Sequence, residues 1–393
     1  MNLRIQYTPQ PIDHTGTAAI EAAKDMIDGI ISGLTEPLTE IEISPKPRVI
    51  EKLARIPFKG TLDEVQQFFQ NRGWTDGLPI IPPTEEAVKK MLAGTSHPSE
   101  EKIGLIPPES WEATVENVAV NAVMAGCKPE HMPVILATLE AFQTEPMFYS
   151  TVRSAGSFGF LQVVNGPIAD EIHMNYKNNA LGPGNAVNAC IGRAFRLCII
   201  NLGGSIPGST LMASQGNVLA RGVAIAENEK DSPWEPYHVS KAFKAEESVL
   251  TLFSGENGFS NPMMDELIKL LKTDKHRGGT LILLDPLTAK LFVGQKGYKT
   301  KKSFQEYLWE NTQVTIEEWR DSYFYEADMK PLLGKPGHHP EWYADTSLPP
   351  DKMVHVFPNH EAIRVIVVGG SIGAVSQIWE MSHGCSVSID KWR

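Results

Sequence analysis

The chain has 393 residues, of which 42% are hydrophobic and 21% are charged, so it favours two domains or one large α/β domain and excludes intrinsic disorder as the default. Its 36 basic and 47 acidic residues leave a net charge of −11, which disfavours nucleic acid as a partner. Because it shows no apolar run of roughly 18 residues, no signal-peptide pattern and only four cysteines, the sequence predicts a cytoplasmic protein without a membrane partner.

The first sixty residues are interpreted as an N-terminal extension. The spacing of apolar residues predicts an amphipathic helix over 17–34, and a proline-punctuated stretch follows it. Thr61 and Glu64 form a capping-box pattern, which predicts a helix that runs to Arg72. The segment 73–83 combines three prolines and two glycines with apolar residues, which excludes a helix and indicates an ordered, packed loop.

From residue 114 onwards the pattern alternates between helical and extended segments. Such alternation predicts an α/β fold, in which helices cover a mixed or mostly parallel sheet. Residues 61–294 form the main domain in this interpretation, 295–352 form a charged and aromatic insertion, and 353–393 complete the sheet with the last strand, a glycine-rich turn and a tail. The predicted helices are 114–125, 129–142, 185–201, 262–272, 286–293, 302–311 and 315–320; the predicted strands are 160–164, 221–226, 248–253, 280–284 and 363–368, and a loop is predicted over 333–340.

Cys127 lies in a predicted corner between two helices. Gly126 is suited to end the first helix in the left-handed conformation, and Pro129 is suited to begin the second. The positive end of the second helix and the neighbouring Lys128 are expected to lower the pKa of the thiol, which makes Cys127 a candidate nucleophile. The alternative is a small buried thiol that fills a tight corner. The nearest candidate bases are Glu130 and His131.

Asp76 stands in a Trp-Thr-Asp-Gly turn that precedes an apolar run. If the packed run holds this loop rigidly, the carboxylate is placed as a candidate catalytic group. The alternative is a turn residue that accepts a hydrogen bond from the backbone two residues further on.

Asparagines are concentrated between residues 165 and 188. Asn165 follows a predicted strand and therefore lies at the carboxyl edge of the sheet, where open α/β folds bind ligands. The Gly-Pro-Gly-Asn sequence at 182–185 opens a helix whose free N–H groups form a candidate site for a carboxylate or phosphate. The alternatives are that these residues satisfy turns and caps, and that Arg193 forms a surface salt bridge. The candidate substrate-binding residues are Asn165, Asn179, Asn185 and Arg193.

Glu227 follows another predicted strand, and a proline-rich loop with Trp234 and His238 comes after it. These residues supply a carboxylate, an aromatic wall and an imidazole, which is the composition of an acid–base site. The alternative is a surface carboxylate with a loop histidine that bonds to the backbone.

The last predicted strand enters a glycine-rich turn. The turn resembles a phosphate loop, but the chain beyond it has no room for the second strand and the ribose-binding acid of a dinucleotide site. None of the eleven histidines stands in a His-x-His or His-x-x-x-His pattern, so the sequence leaves metal and cofactor content open. The turn is kept as a generic anion site, with Gly369, Gly370 and Ser371 as its residues.

Three segments carry a resemblance to known proteins: Trp74–Thr84 (WTDGLPIIPPT), Ala125–Glu130 (AGCKPE) and Asn165–Arg193. They resemble a bacterial family whose members often accompany, or are fused to, a UGSC-type (seleno)protein domain, named for its selenocysteine or cysteine-Gly-Ser-Cys motif. The resemblance implies a thiol or selenol protein as a partner and no particular reaction. The segment 209–222 departs from the family's pattern, so the substrates of relatives are not carried over.

Together these patterns predict an oligomeric enzyme that acts on a small polar or anionic organic substrate. We expect thiol-dependent lyase or hydrolase chemistry at a carbon–heteroatom bond. The alternatives are a non-catalytic or co-catalytic subunit in a complex with a UGSC-type protein, and a metal-dependent hydratase. The expected catalytic residues are Cys127, Asp76, Glu227 and His238.

Overall fold

The computed structural model describes residues 16–37, 39, 55–153, 156–213, 215–255, 259–260, 264–273, 279–320, 347–372 and 376–393. The chain divides into two compact units, Met1–Lys59 and Gly60–Arg393. In the first unit, helix α1 spans Gly16–Thr35. Within the described ranges, no helix has both the length and the apolar character that crossing a membrane requires.

The second unit contains the remaining helices and all of the strands that the structure describes. Its helices are α2 Leu62–Asn71, α3 Glu85–Leu92, α4 Val115–Ala125, α5 Met132–Thr144, α6 Phe148–Thr151, α7 Ile168–Glu171, α8 Ala186–Asn201, α9 Tyr237–Ser240, α10 Met264–Thr273, α11 Pro286–Lys296, α12 Lys301–Asn311 and α13 Ile316–Arg320. Its strands are β1 Lys102–Ile106, β2 Trp111–Thr114, β3 Gly159–Asn165, β4 Val223–Ala226, β5 Val249–Gly255, β6 Phe259–Ser260, β7 Thr280–Leu284, β8 Gln313–Thr315, β9 Met353–His355, β10 Ile363–Val367, β11 Ser376–Trp379 and β12 His383–Ser388.

The strands form two four-stranded sheets, with the orders β12-β5-β3-β4 and β10-β7-β11-β6. The pairs β3/β4 and β10/β7 are parallel, whereas β3/β5, β5/β12, β7/β11 and β6/β11 are antiparallel. The predicted α/β class with mixed strands is therefore confirmed, and the alternative of a mostly parallel sheet is wrong. Two further antiparallel pairs, β1/β2 and β8/β9, lie outside these sheets.

The two sheets pack face to face between two layers of helices. Alternation along β3 places Phe160 and Val164 in the core shared with the helices, and Leu161 and Val163 in a core that also contains Leu281 of β7. The other sheet divides its side chains in the same way between this shared core and its own helices. Strands buried on both faces are apolar at nearly every position, which explains the continuous hydrophobic runs in the sequence.

The predicted helices and strands are found with boundaries that shift by a few residues. The capping box at Thr61 is confirmed, and so is the left-handed Gly126, whose φ is 85°. The prediction missed the eight-residue helix α3, the four-residue helices α6, α7 and α9, and the short strands β1, β2, β6, β8, β9, β11 and β12. Elements of two to eight residues carry too little periodicity to identify. The predicted loop over 333–340 lies outside the described residues, and the predicted domain boundaries stay predictions.

Two glycines bring helix α8 onto strand β4. A Cβ on Gly192 would lie 2.5 Å from the Gly222 carbonyl oxygen, and a Cβ on Gly222 would lie 2.0 Å from that of Gly192. Gly222 also has a φ of 88°, a conformation that glycine adopts without steric cost. The close approach fixes the start of β4 and therefore helps to fix the side chains that follow its end.

A short loop after α3 holds the last residues of the chain. The Thr95 hydroxyl donates to the Trp392 carbonyl at 2.7 Å, and the tilted His97 ring packs against Trp392 with centroids 4.7 Å apart. The His97 ring nitrogens lie 2.7 Å from the Lys391 carbonyl oxygen and 2.9 Å from a Glu101 carboxylate oxygen. Since both partners are acceptors, only the protonated imidazole can donate to both.

We predict that this contact stabilises the fold more at low pH than at high pH. The hydrogen bond to the Lys391 carbonyl raises the pKa of His97, burial lowers that pKa, and Glu101 raises it further, so the net effect is a raised pKa. The stabilisation is therefore complete below the unfolded-state pKa of about 6.5 and is lost as pH rises through the higher folded-state pKa. The free energies of unfolding of wild type and His97→Asn, measured with urea, should differ more below a pH of about 6.5 than above the folded-state pKa. In a Glu101→Gln background, the loss of stability caused by His97→Asn at low pH should be smaller. A difference independent of pH would contradict the assignment.

Candidate functional site

The carboxyl ends of β3, β4 and β10 meet at one edge of the four-layer body. Leu161 and Val163 precede Asn165 in the chain by four and two residues, and they face the core between the sheets. Ile225 precedes Glu227 by two residues and faces the same core. Because side chains alternate with a period of two, Asn165 and Glu227 point into that same space. The Asn228 amide donates to the Val367 carbonyl at 2.7 Å and joins the two sheets there.

The Glu227 carboxylate is buried and accepts four hydrogen bonds. Its Oε1 atom lies 2.5 Å from Lys301 Nζ and 3.4 Å from the Val367 amide nitrogen. Its Oε2 atom lies 2.6 Å from Asn165 Nδ2 and 2.7 Å from the Tyr237 amide nitrogen. Lys301 is itself only 2% exposed. A carboxylate offers about four lone-pair sites, so these donors use the hydrogen-bonding capacity of Glu227.

Glu229 connects this buried pair to solvent. Its Oε1 atom accepts from Asn165 Nδ2 and from the Gly166 amide, each at 2.8 Å, and lies 3.7 Å from Nδ1 of His238. Its side chain is 25% exposed, whereas that of His238 is fully buried. All three contacts engage Oε1, so Oε2 takes part in none of them. We call Asn165, Glu227, Glu229, His238 and Lys301 the Glu227 cluster.

Three buried polar atoms of the Glu227 cluster lack a hydrogen-bond partner. They are Oδ1 of Asn165 and both ring nitrogens of His238. Each unsatisfied buried polar group costs about 1–3 kcal/mol. Such groups are uncommon in folded proteins and call for a specific explanation.

Trp234 anchors the loop that carries His238. Its indole nitrogen donates to the Tyr298 carbonyl at 2.8 Å, and its ring stacks on Phe304 with centroids 5.5 Å apart. Trp234 is 5% exposed and belongs to the core between the second sheet and its helices. The residue expected to form an aromatic wall therefore packs in a core and holds the loop in place.

The glycine-rich turn after β10 lies beside the Glu227 cluster. The Asn228 side chain donates to the Gly369 carbonyl at 2.9 Å, and the Gly369 amide donates to the Tyr176 carbonyl at 2.9 Å. A Cβ on Gly370 would lie 1.4 Å from Oδ1 of Asn178, so Asn178 occupies that side of the turn. Of the predicted anion-site residues Gly369, Gly370 and Ser371, the last is exposed.

The asparagines before α8 hold their own loop together. Asn179 donates to the Pro183 carbonyl at 2.8 Å. Asn185 donates to the carbonyls of Asn179 at 2.7 Å and Gly182 at 3.1 Å, and accepts from the Asn175 side chain at 2.7 Å. These contacts agree with the alternative in which the asparagines satisfy turns, and substrate binding by Asn179 and Asn185 stays a prediction.

Asp76 and Arg193 form a two-pronged ion pair. Two Arg193 nitrogens each lie 2.9 Å from an Asp76 carboxylate oxygen, and Arg193 also donates to the Pro79 carbonyl at 2.8 Å. Burial raises the pKa of Asp76, but the Arg193 hydrogen bonds and charge outweigh it and hold that pKa below its usual value. The pair fastens the 73–83 loop to α8, 117 positions away in the chain. The expected packing of the loop's apolar side chains is found only in part, because Ile80 is buried whereas Leu78 and Ile81 are exposed.

Cys127 lies near Arg193, and its thiol is less acidic than expected. Burial raises the pKa of Cys127 well above its usual value, and the thiols of Cys190 and Cys198 raise it further, whereas Arg193 lowers it. The expected lowering of this pKa is therefore wrong, because burial outweighs the helix end and the neighbouring lysine. All four cysteines are free thiols. The catalytic role of Cys127 stays a prediction.

His131 lies beside the same corner and accepts a hydrogen bond there. Its Nδ1 atom accepts from the Lys128 amide at 3.2 Å, so that nitrogen is already engaged and the proton lies on Nε2. Burial lowers the pKa of His131. The candidate base is thus a buried neutral imidazole that helps to shape the turn before α5.

The structure therefore separates the predicted residues into two groups. Asn165, Glu227 and His238 belong to the Glu227 cluster, whereas Asp76, Arg193 and Cys127 lie along the helix layer. Sequence reasoning missed Glu229 and Lys301. The signal available for Glu229 was its position two residues after Glu227. The signal available for Lys301 was its position in the first turn of a helix, where a lysine opposes the helix dipole.

Within the part of the chain that the structure describes, no three His, Cys, Asp or Glu side chains are arranged to hold a metal ion. Comparison with models of protein families, with curated proteins and with solved structures finds no match to this chain.

Proposed function

We propose that the chain is an enzyme that acts on a small polar or anionic organic substrate by acid–base chemistry at the Glu227 cluster. The observation that carries the proposal is the partly exposed Glu229 carboxylate, which is held by buried polar groups at the carboxyl ends of β3 and β4. In open α/β sheets, ligands bind at such edges. The reaction class is a lyase or hydrolase reaction at a carbon–heteroatom bond.

The energetics of the cluster support a functional role. A buried ion pair such as Lys301 and Glu227 is weak support for stability, because the cost of desolvating two charges offsets their attraction. The unpartnered atoms of His238 and Asn165 add a further cost. Proteins concentrate such costs at functional sites.

We assign the groups different roles from their geometry. Glu229 is the catalytic base and acid, because its Oε2 atom is available and its side chain reaches solvent. His238 and Asn165 are positioning residues that flank Oε1 of Glu229. Lys301 and Glu227 form the rigid frame that holds Asn165, since Glu227 already accepts four donors.

In the lyase step, Glu229 removes a proton from carbon, and the electron pair of the C–H bond forms the second bond of a carbon–carbon double bond. The heteroatom leaves with the pair of the bond that breaks. The proton then passes from Glu229 to the leaving heteroatom, which restores the carboxylate.

We assign proton transfer to Glu229 and not to a Cys127 thiolate, because burial raises the pKa of Cys127 and disfavours its thiolate form. The UGSC-type partner implied by the resemblance, an oligomeric state and a cytoplasmic location stay predictions of the sequence. A chain that is active when purified alone would need no second subunit.

The proposal is tested by incubating the purified chain with a panel of small hydroxy-, amino- and oxo-carboxylates and their phosphate esters in D2O. We expect proton NMR to show exchange of a carbon-bound proton, bond cleavage, or both, for at least one member of the panel. Protein-free samples and heat-unfolded protein are the controls. If the folded chain leaves every compound at the uncatalysed rate, the chain alone is not this enzyme and the partner-dependent alternative is favoured.

A further inference from the structure

We propose that a depression beside the Glu227 cluster binds the phosphate group of the substrate through Lys177 and Lys230. The inference rests on the proposed function and names a substrate class for it, a small organic phosphate. The depression has a volume of about 350 Å³ and is lined by Asp170, His173, Met174, Asn175, Tyr176 and Lys177.

Two ammonium groups lie near the ring of Tyr176, which lines this depression. The Nζ atoms of Lys177 and Lys230 each lie 5.8 Å from the centroid of the Tyr176 ring. Lys230 is 62% exposed and lies 2.7 Å from an Asp170 oxygen, and the Tyr176 hydroxyl is its second hydrogen-bond partner. An ammonium group has three donors, so Lys230 keeps one for an anion.

The charge of the depression differs from that of the protein as a whole. The chain carries a net charge of −11, yet Lys177 and Lys230 both lie near the carboxylate of Asp170 here. The neighbouring carboxylate of Glu171 is paired with Arg393 at 2.8 Å. Two neighbouring ammonium groups attract anions even in an acidic protein, and a dianionic phosphate gains most from two such groups.

The depression and the catalytic group share two loops. The loop after β3 runs from Gly166, which binds Glu229, to Lys177, and Lys230 directly follows Glu229 in the loop after β4. The Gly369 turn is bonded to Tyr176 from the other side. A substrate whose phosphate lies at the lysines therefore extends its carbon chain toward Glu229.

The test measures thermal stability of the full chain against sodium phosphate, with sodium chloride at the same ionic strength as reference. Ligand that binds only the folded state raises Tm by mass action, so phosphate should raise Tm of the wild type above the chloride reference. Lys177→Gln should weaken the apparent phosphate affinity about tenfold, as expected for one charged hydrogen bond. Lys177→Gln with Lys230→Gln should remove the phosphate effect.

The matched control is Lys128→Gln with Lys302→Gln, two exposed lysines that are paired with carboxylates elsewhere, and it should keep the wild-type response. An equal response in the wild type and the Lys177/Lys230 double variant overturns the proposal, as does the absence of any phosphate effect in the wild type. A larger effect of sodium acetate than of phosphate overturns the phosphate assignment. Because this readout needs no turnover, its failure is distinguishable from failure of the proposed activity.

Discussion

Replacement of Lys301 by methionine is expected to lower the free energy of unfolding by about 3–5 kcal/mol, because it leaves the buried Glu227 carboxylate without its counter-charge. The two groups lie 2.5 Å apart, and their side chains are 2% and 0% exposed. Methionine keeps most of the volume and flexibility of the lysine side chain, so the change isolates the charge. Urea denaturation followed by circular dichroism measures the difference.

Two variants control this prediction. Lys302→Met removes the neighbouring lysine, which is 66% exposed and pairs with Glu306 at 3.7 Å, and should change stability by no more than about 0.5 kcal/mol. Glu227→Gln combined with Lys301→Met removes both charges and should recover part of the loss. A double variant as unstable as Lys301→Met alone would contradict an unpaired carboxylate as the cause.

Glu229→Gln is expected to lower turnover by about 10²–10⁴-fold, the range for loss of a general acid or base. The glutamine carbonyl can still accept from Asn165 and from the Gly166 amide, so the fold should be retained. Turnover is measured on the substrate found in the D2O panel. Glu246→Gln, at an exposed carboxylate before β5, is the matched control and should leave turnover unchanged.

His238→Gln separates positioning from catalysis at the same site. Because the His238 side chain is fully buried 3.7 Å from Glu229, it should lose less turnover than Glu229→Gln. Wild-type turnover in Glu229→Gln would exclude Glu229 as the base. A His238→Gln effect that exceeds that of Glu229→Gln would move the proton-transfer role to the histidine.

Helices and core strands could be predicted because their signals are local. The capping box at Thr61 and the apolar run at 280–284 report burial and chain direction within a few residues. The division into two sheets could not be predicted, because it depends on which strands pair across long stretches of sequence. β12, for example, pairs with β5 through polar and apolar residues that show no clean alternation.

The candidate site was partly predictable for the same reason. Asn165 and Glu227 follow strands and lie at a sheet edge, as a rule about strand ends anticipates. Lys301 reaches Glu227 from a helix 74 positions away. Its place in the first turn of a helix is a local signal, but no local pattern identifies Glu227 as its partner. Cys127 shows the converse, because its helix-end position suggested an acidic thiol, but partial burial by neighbouring side chains raises the pKa of the thiol.

Of the strands that the structure describes, β11 and β12 are the last that the ribosome makes. β12 covers one side of β5, and β11 lies between β7 and β6. Both sheets therefore remain incomplete until β11 and β12 have been made, and β5 presents an unpaired edge until residues 383–388 pair with it. Unpaired edges recruit other chains, so rapid completion of the last strands shortens the time in which the nascent protein can associate.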